Sequence, residues 1–185
     1  MVDVDGSGSG VGAEIIAKVD AEFLAQVPIF GGLPPLLLGQ LLSAASLRRV
    51  DAGVQLIGEG ELAKSVFVVC QGELEICKRG TNGSEFRLAV LKRGDCVGEM
   101  SLIDIQPRSA TVRTLSPALL LSIDNAGSAR LYEEHPEAYL LLVLNIAREI
   151  SRRLRRADQV LADMGLAVEE LWAHVHPNEA PRSRR

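Results

Sequence analysis

Between Leu47 and Ile123 the sequence is cut into eight short apolar runs by glycines and turn residues. The runs lie near 47–50, 54–57, 66–70, 73–78, 86–91, 95–97, 109–114 and 118–123. Gly53, Gly58 and Gly60, Gly72, Asn82-Gly83, Gly94 and Ser116-Pro117 separate them. Runs of this length are too short for helices but suit strands. Within 73–78, Leu74, Ile76 and Lys78 alternate with Glu73, Glu75 and Cys77, the period of a strand with two different faces. Asn82-Gly83 between two such runs predicts a hairpin. Regular short strands of this kind predict a sandwich, barrel or roll.

The flanks read differently. Residues 1–12 are Gly/Ser-rich and predict a disordered lead. Ala13 to Gln26 carries Ile15, Ile16, Val19, Phe23 and Leu24 at helical spacing, and a second short helix fits Pro34 to Ala45. From Asp124, an N-cap candidate, the pattern is helical again. Pro136 can begin the last helix, expected to run from about Glu137 to Trp172. The domain plan is a lead over 1–12, a β-body with N-terminal helices over 13–135, a long helix over 136–172 and a flexible tail over 173–185.

That last helix carries a seam. Leu140, Val143, Ala147, Ile150, Leu154, Ala157, Leu161, Met164, Val168 and Leu171 are all apolar at strict three–four spacing. In a parallel pair, Arg153 would face Asp158 of a second copy. The seam predicts a homodimer through Leu140 to Leu171, with its first two turns packed on the β-body. Gly165 weakens the end of this helix by about 1 kcal/mol.

Several function classes are set aside on composition. A net charge of -4 argues against coating nucleic acid by bulk charge. No apolar run approaches a membrane span, and the N-terminus has no apolar signal region. The three cysteines, Cys70, Cys77 and Cys96, sit in or beside apolar runs and read as reduced core thiols of a cytoplasmic protein. His135, His174 and His176 form no metal set, and no nucleophile–base pair or Walker loop is present, so neither an enzyme nor a cofactor is expected.

The chemistry is concentrated in Val97-Gly-Glu-Met-Ser-Leu-Ile-Asp-Ile-Gln-Pro-Arg-Ser-Ala-Thr-Val112. A strand ends at Gly98, where the chain must turn. Glu99 follows, then an apolar turn through Met100, Leu102 and Ile103, then Pro107 and Arg108. A guanidinium beside Ser109 and Ala110, with free backbone N–H groups, makes a nest for a phosphate-like anion. Glu99, an acceptor, suits a sugar hydroxyl. The plainer alternative is that Glu99 and Arg108 pair with each other on a loop.

This segment resembles the phosphate-binding cassette of cyclic nucleotide-binding domains, which occur in kinase regulatory subunits, gated channels and catabolite-activator-type regulators. Gly98-Glu99, the nine-residue step to Arg108, and Pro107-Arg108-Ser109-Ala110-Thr111-Val112 match that pattern without a gap. Pro28-Ile29-Phe30-Gly31-Gly32-Leu33, Gly58-Glu59-Gly60 and Val66-Phe67-Val68-Val69 through Gly72 resemble other parts of the family. Val97 replaces a usual Phe, and Ile105 stands where many bacterial members have Gly.

The resemblance implies a mainly β fold with flanking helices: an eight-stranded β-roll, or jelly roll, with N-terminal helices and a long C-terminal helix. It implies a ligand set of Gly98, Glu99, Met100, Ser101, Arg108, Ser109 and Ala110. Arg108, the Ser109 hydroxyl and the Ala110 N–H would hold the cyclic phosphate, and Glu99 the ribose 2′-OH. The ligand would be cAMP or cGMP, with cAMP favoured at Ser109. Candidate lid contacts on the last helix are Arg148, Ser151, Arg152 and Arg155, each of which also fits a solvated face. Tyr139 and Trp172 fit base stacking or, more simply, packing. The thirteen residues after Trp172 hold two prolines and no helix period, so no DNA-reading helix-turn-helix is expected within them. The expected function is a dimeric cyclic nucleotide sensor acting on a downstream protein. The alternatives are a ligand-independent dimeric scaffold and a truncated transcription regulator.

Overall fold

The computed structural model describes residues 19–62, 65–104 and 106–175. The predicted lead over 1–12, the start of the first predicted helix and the end of the predicted tail lie outside the described residues. Two compact units are present, one ending at Ile146 and the other beginning at Ala147.

Helix α1 spans Ala21–Gln26 and begins where the Asp20 carboxylate accepts a hydrogen bond from the Phe23 N–H at 2.9 Å. A 3-10 turn, Pro28–Phe30, leads to α2, Pro35–Ala44, whose first residue is a proline with no N–H to leave orphaned.

All eight predicted strands form: β1 Ser46–Val50, β2 Gln55–Ile57, β3 Ser65–Gln71, β4 Leu74–Arg79, β5 Glu85–Leu91, β6 Cys96–Val97, β7 Thr111–Thr114 and β8 Ala118–Asp124. They make two four-stranded antiparallel sheets, ordered β1-β8-β3-β6 and β2-β7-β4-β5. This is the expected β-roll with flanking helices. The core between its sheets is largely aliphatic, built on Ile57, Phe67, Val69, Leu74, Leu91, Val97, Val112, Ala118 and Leu120. Each fully buried side chain of this size contributes about 1.5–3 kcal/mol. Strand β3 is buried at Val66, Val68 and Cys70 as well as at Phe67 and Val69, hence its unbroken apolar run.

The hairpin β4–β5 is longer than a two-residue Asn-Gly turn. Arg79 pairs with Glu85, so Gly80 to Ser84 make a five-residue loop. Gly83 takes a φ of 83° there, and its N–H donates to the Gly80 carbonyl at 2.9 Å. The three cysteines are buried thiols outside any disulfide, and burial pushes the Cys70 thiol up to about 11, far from thiolate at neutral pH.

Helices α3, Asn125–Glu134, and α4, Pro136–Val175, are the last elements among the described residues. Within the first unit, α4 buries Ala138, Leu142, Asn145 and Ile146, while Leu140 is 59% exposed. The first turns of the helix thus pack on the body as expected, but mainly through a stripe beside the seam, whose Val143 is half-buried. That stripe is interrupted in the sequence by one polar member, Asn145. Asn145 is accommodated because its Nδ2 donates to the Gly31 carbonyl at 2.8 Å and the Ile29 carbonyl at 3.3 Å.

In the second unit the helix stays regular to Val175, past the expected end at Trp172. Leu154, Leu161 and Met164 of the seam are exposed, whereas Ile150 is half-buried. Glu149 binds Arg152 at 2.9 Å and Arg153 at 3.4 Å.

Candidate functional site

Strand β6 ends at Val97, and Gly98 turns the chain with a φ of 88° into a 3-10 turn, Glu99–Leu102. Gly98 is needed here for its conformation and for space. A Cβ on it would lie 2.4 Å from Arg108 Nη1 and 2.9 Å from the Ser65 carbonyl oxygen. Its own carbonyl accepts from Ser101 Oγ at 2.7 Å, the Ser101 N–H at 3.2 Å and Arg108 Nη1 at 3.3 Å. Arg108 Nη2 donates to the Ser65 carbonyl of β3. The guanidinium thus rests on two backbone carbonyls.

Glu99 is buried, at 1% exposure, and Arg108 is half-buried. Burial draws the Arg108 pKa below the ordinary guanidinium range, while the carboxylates of Glu99 and Glu61 oppose that shift. The side chain stays a cation at neutral pH. The structure therefore brings Gly98, Glu99, Ser101 and Arg108 together. Ser109 is exposed beside them, Ala110 is half-buried, and Met100 is exposed. The strand expected near 109 starts two residues later, at Thr111, because Ser109 and Ala110 form a bend.

A second layer holds this segment from outside, and the sequence reading misses it. The Arg108 N–H donates to the Glu61 carbonyl at 2.8 Å, and the Gly60 N–H donates back to the Arg108 carbonyl at 2.9 Å. The Glu59 N–H donates to Thr111 Oγ1 at 3.2 Å. Lys78 Nζ donates to Glu59 Oε1 and to the Ser109 carbonyl, both at 2.6 Å, and the Arg79 N–H donates to Glu59 Oε2 at 3.2 Å. One signal was available: Lys78 continues the face of Leu74 and Ile76, an odd place for a lysine.

Glu59 is exposed, and the hydrogen bond from Lys78, then that from Arg79, hold its carboxyl below the usual glutamate range. A depressed acid stabilises the fold above its unfolded pKa, about 4.3, and loses that contribution as pH falls through its folded value. Lys78→Met is therefore expected to raise the Glu59 titration toward the ordinary range, with the Arg79 N–H still holding part of the depression, and to flatten part of the acid loss of stability below about pH 4.3. A carbon-detected NMR titration of Glu59, paired with melting curves across that range, checks it.

Tyr139 Oη donates to the Leu102 carbonyl at 3.2 Å, and its ring meets Tyr132 edge-on at 5.3 Å. Its role is thus at least packing against the site's 3-10 turn. The candidate lid residues Arg148, Ser151, Arg152 and Arg155 all lie in the second unit, where each is exposed. The Trp172 side chain lies outside the described residues. Among the described residues there is no group of three metal-capable side chains, and no helix is long and apolar enough to cross a membrane.

Comparison with known proteins places the fold. A family model described as the cyclic nucleotide-binding domain matches residues 47–135. The chain is 31% identical over 131 residues to the Cyclic AMP receptor protein of Thermus thermophilus, covering 71% of this chain and 59% of that protein. It is 27% identical over 143 residues to a CRP-like cAMP-activated global transcriptional regulator of Mycobacterium tuberculosis, covering 77% and 62%. The chain thus spans about three fifths of these curated relatives. The crystal structure of the Thermus thermophilus Catabolite Activator Protein matches with a TM-score of 0.64 and 30% identity, over 75% of this chain and 63% of that one.

Proposed function

This chain belongs to the cyclic nucleotide-binding domain family through residues 47–135, and from that membership we propose that it is a cyclic nucleotide sensor whose ligand is cAMP. The observation that carries the reading is the tight Gly98 turn, which leads straight into the buried Glu99 and whose carbonyl accepts from the Arg108 guanidinium at 3.3 Å, with the Glu99 carboxylate near enough to act on that cation. Arg108, Ser109 Oγ and the Ala110 N–H take the cyclic phosphate, and Glu99 takes the ribose 2′-OH. Met100 and Ser101 line the turn between them. The relatives named above are cAMP-responsive regulators, which supports cAMP over cGMP and a regulatory role over a catalytic one.

The response passes through the 3-10 turn. Tyr139 of α4 hydrogen-bonds its Leu102 carbonyl, so tightening of the turn around a ligand pulls on the start of α4. Arg148, Ser151, Arg152 and Arg155 are the helix residues offered to a bound nucleotide, and a downstream protein reads the change. The seam assembles two copies, since exposed apolar side chains at heptad spacing need a partner.

Titration calorimetry of the purified chain with cAMP and cGMP tests the reading, with mass analysis for nucleotide carried over from the expression host. Saturable heat, tighter for cAMP, is expected. No heat and no melting shift at millimolar nucleotide, on nucleotide-free protein, would remove it. For the seam, sedimentation is expected to give a dimer, and Leu154→Glu with Leu161→Glu a monomer that still binds nucleotide. A wild-type monomer at all concentrations would refute the paired helix.

A further inference from the structure

We infer that Lys78 is a positioning residue of the anion site: by gripping the Ser109 carbonyl it aims the Ala110 N–H of the same peptide unit at the cyclic phosphate. The inference deepens the proposed function and rests on it.

The argument starts from alternation in β4. Leu74 is in the core, and Ile76 and Lys78 follow it on the same face. Strand β4 pairs with β7 through Cys77 and Thr111, so the next step along the ladder sets Lys78 beside Ala110. At that point the apolar face runs out, and the lysine can bring its ammonium to the bend at Ser109-Ala110.

The contact it makes there is directional. Lys78 Nζ lies 2.6 Å from the Ser109 carbonyl oxygen. The Ser109–Ala110 peptide is trans, so its C=O and N–H point in opposite directions. Fixing one end of that unit fixes the other. Lys78 therefore sits on the carbonyl side, away from an anion held by the N–H, and is not itself a phosphate ligand. A charged donor on the carbonyl also polarises the peptide and makes its N–H a better donor.

The ammonium is held in place. Glu59 Oε1 accepts from Lys78 at 2.6 Å, and Glu59 Oε2 accepts from the Arg79 N–H at 3.2 Å. The Glu59 N–H is tied to Thr111 Oγ1, just beyond the bend. The carboxylate also offsets the lysine's charge, so its influence on an anion runs through the peptide rather than through a free positive charge.

Lys78→Met keeps the length and the packing of the stem but cannot donate, and Lys78→Arg keeps the donor. Calorimetry with cAMP is read beside the amide proton shift of Ala110 in nitrogen-15-labelled protein, without and with saturating cAMP. Lys78→Met is expected to bind cAMP about tenfold more weakly, the scale of one lost hydrogen bond. Its Ala110 amide should show a smaller downfield move on binding, and Lys78→Arg should restore both. Wild-type affinity in Lys78→Met overturns the inference and leaves the sensor reading intact. So does weaker binding with an unchanged Ala110 shift, which would mark a merely structural contact. If the unaltered protein binds no cyclic nucleotide, the sensor reading fails and this inference with it.

Discussion

Arg108→Ala is expected to weaken cyclic nucleotide binding by roughly 30- to 5,000-fold, about 2–5 kcal/mol, the range for removing one partner of a desolvated charge pair. The guanidinium is already half-buried and already rests on the Ser65 and Gly98 carbonyls, so much of its ordering and dehydration cost is met before a ligand arrives. Without it, a phosphate keeps only the Ser109 hydroxyl and the Ala110 N–H. The buried Glu99 also loses the cation that attracts it, so stability should fall as well as affinity. Calorimetry at 25 °C, with melting curves on the same samples, separates the two losses. Arg108→Lys should fall between, since a point charge replaces a planar fork. A folded Arg108→Ala protein that binds like wild type would mean that the anion sits elsewhere.

How far this site could be read in advance depends on sequence distance. Gly98, Glu99 and Arg108 lie within one short segment, and each residue type announces its job: a turn, an acceptor, a cation. The strands were legible for the same local reason, because alternation and glycine breaks are properties of neighbours. Three contacts were not. Lys78 reaches Ser109 across 31 positions, Arg108 reaches Ser65 across 43, and Asn145 reaches Gly31 across 114. Each is a side chain on a backbone carbonyl, which every residue has, so nothing in the acceptor's identity marks it. The α4 stripe failed differently. Leu142 and Ile146 fit a helix face, but Asn145 between them looks like a break until its two carbonyl partners are placed.

The second large effect is expected at Gly98, and a matched control separates its two causes. Gly98→Ala forces an L side chain into φ 88°, which costs about 1–2 kcal/mol in any setting. Gly83, in the β4–β5 loop, has φ 83° and nothing within 4 Å of an added Cβ, so Gly83→Ala should show that backbone cost alone, with unchanged affinity. At Gly98 the added Cβ would lie 2.4 Å from Arg108 Nη1 and 2.9 Å from the Ser65 carbonyl oxygen. The guanidinium can swing away, but the carbonyl belongs to β3 and moves only with the sheet. The cheaper relief is to expel Arg108 from its rest on Ser65 and Gly98, which takes the cation out of the anion site. Gly98→Ala should therefore lose more stability than Gly83→Ala in urea melts. It should also lose at least tenfold in nucleotide affinity, because displacing Arg108 forfeits part of a charge-pair contribution of about 2–5 kcal/mol. Equal stability losses and equal affinities in the two variants would show that Gly98 only turns the chain, and that Arg108 does not need the space beside it.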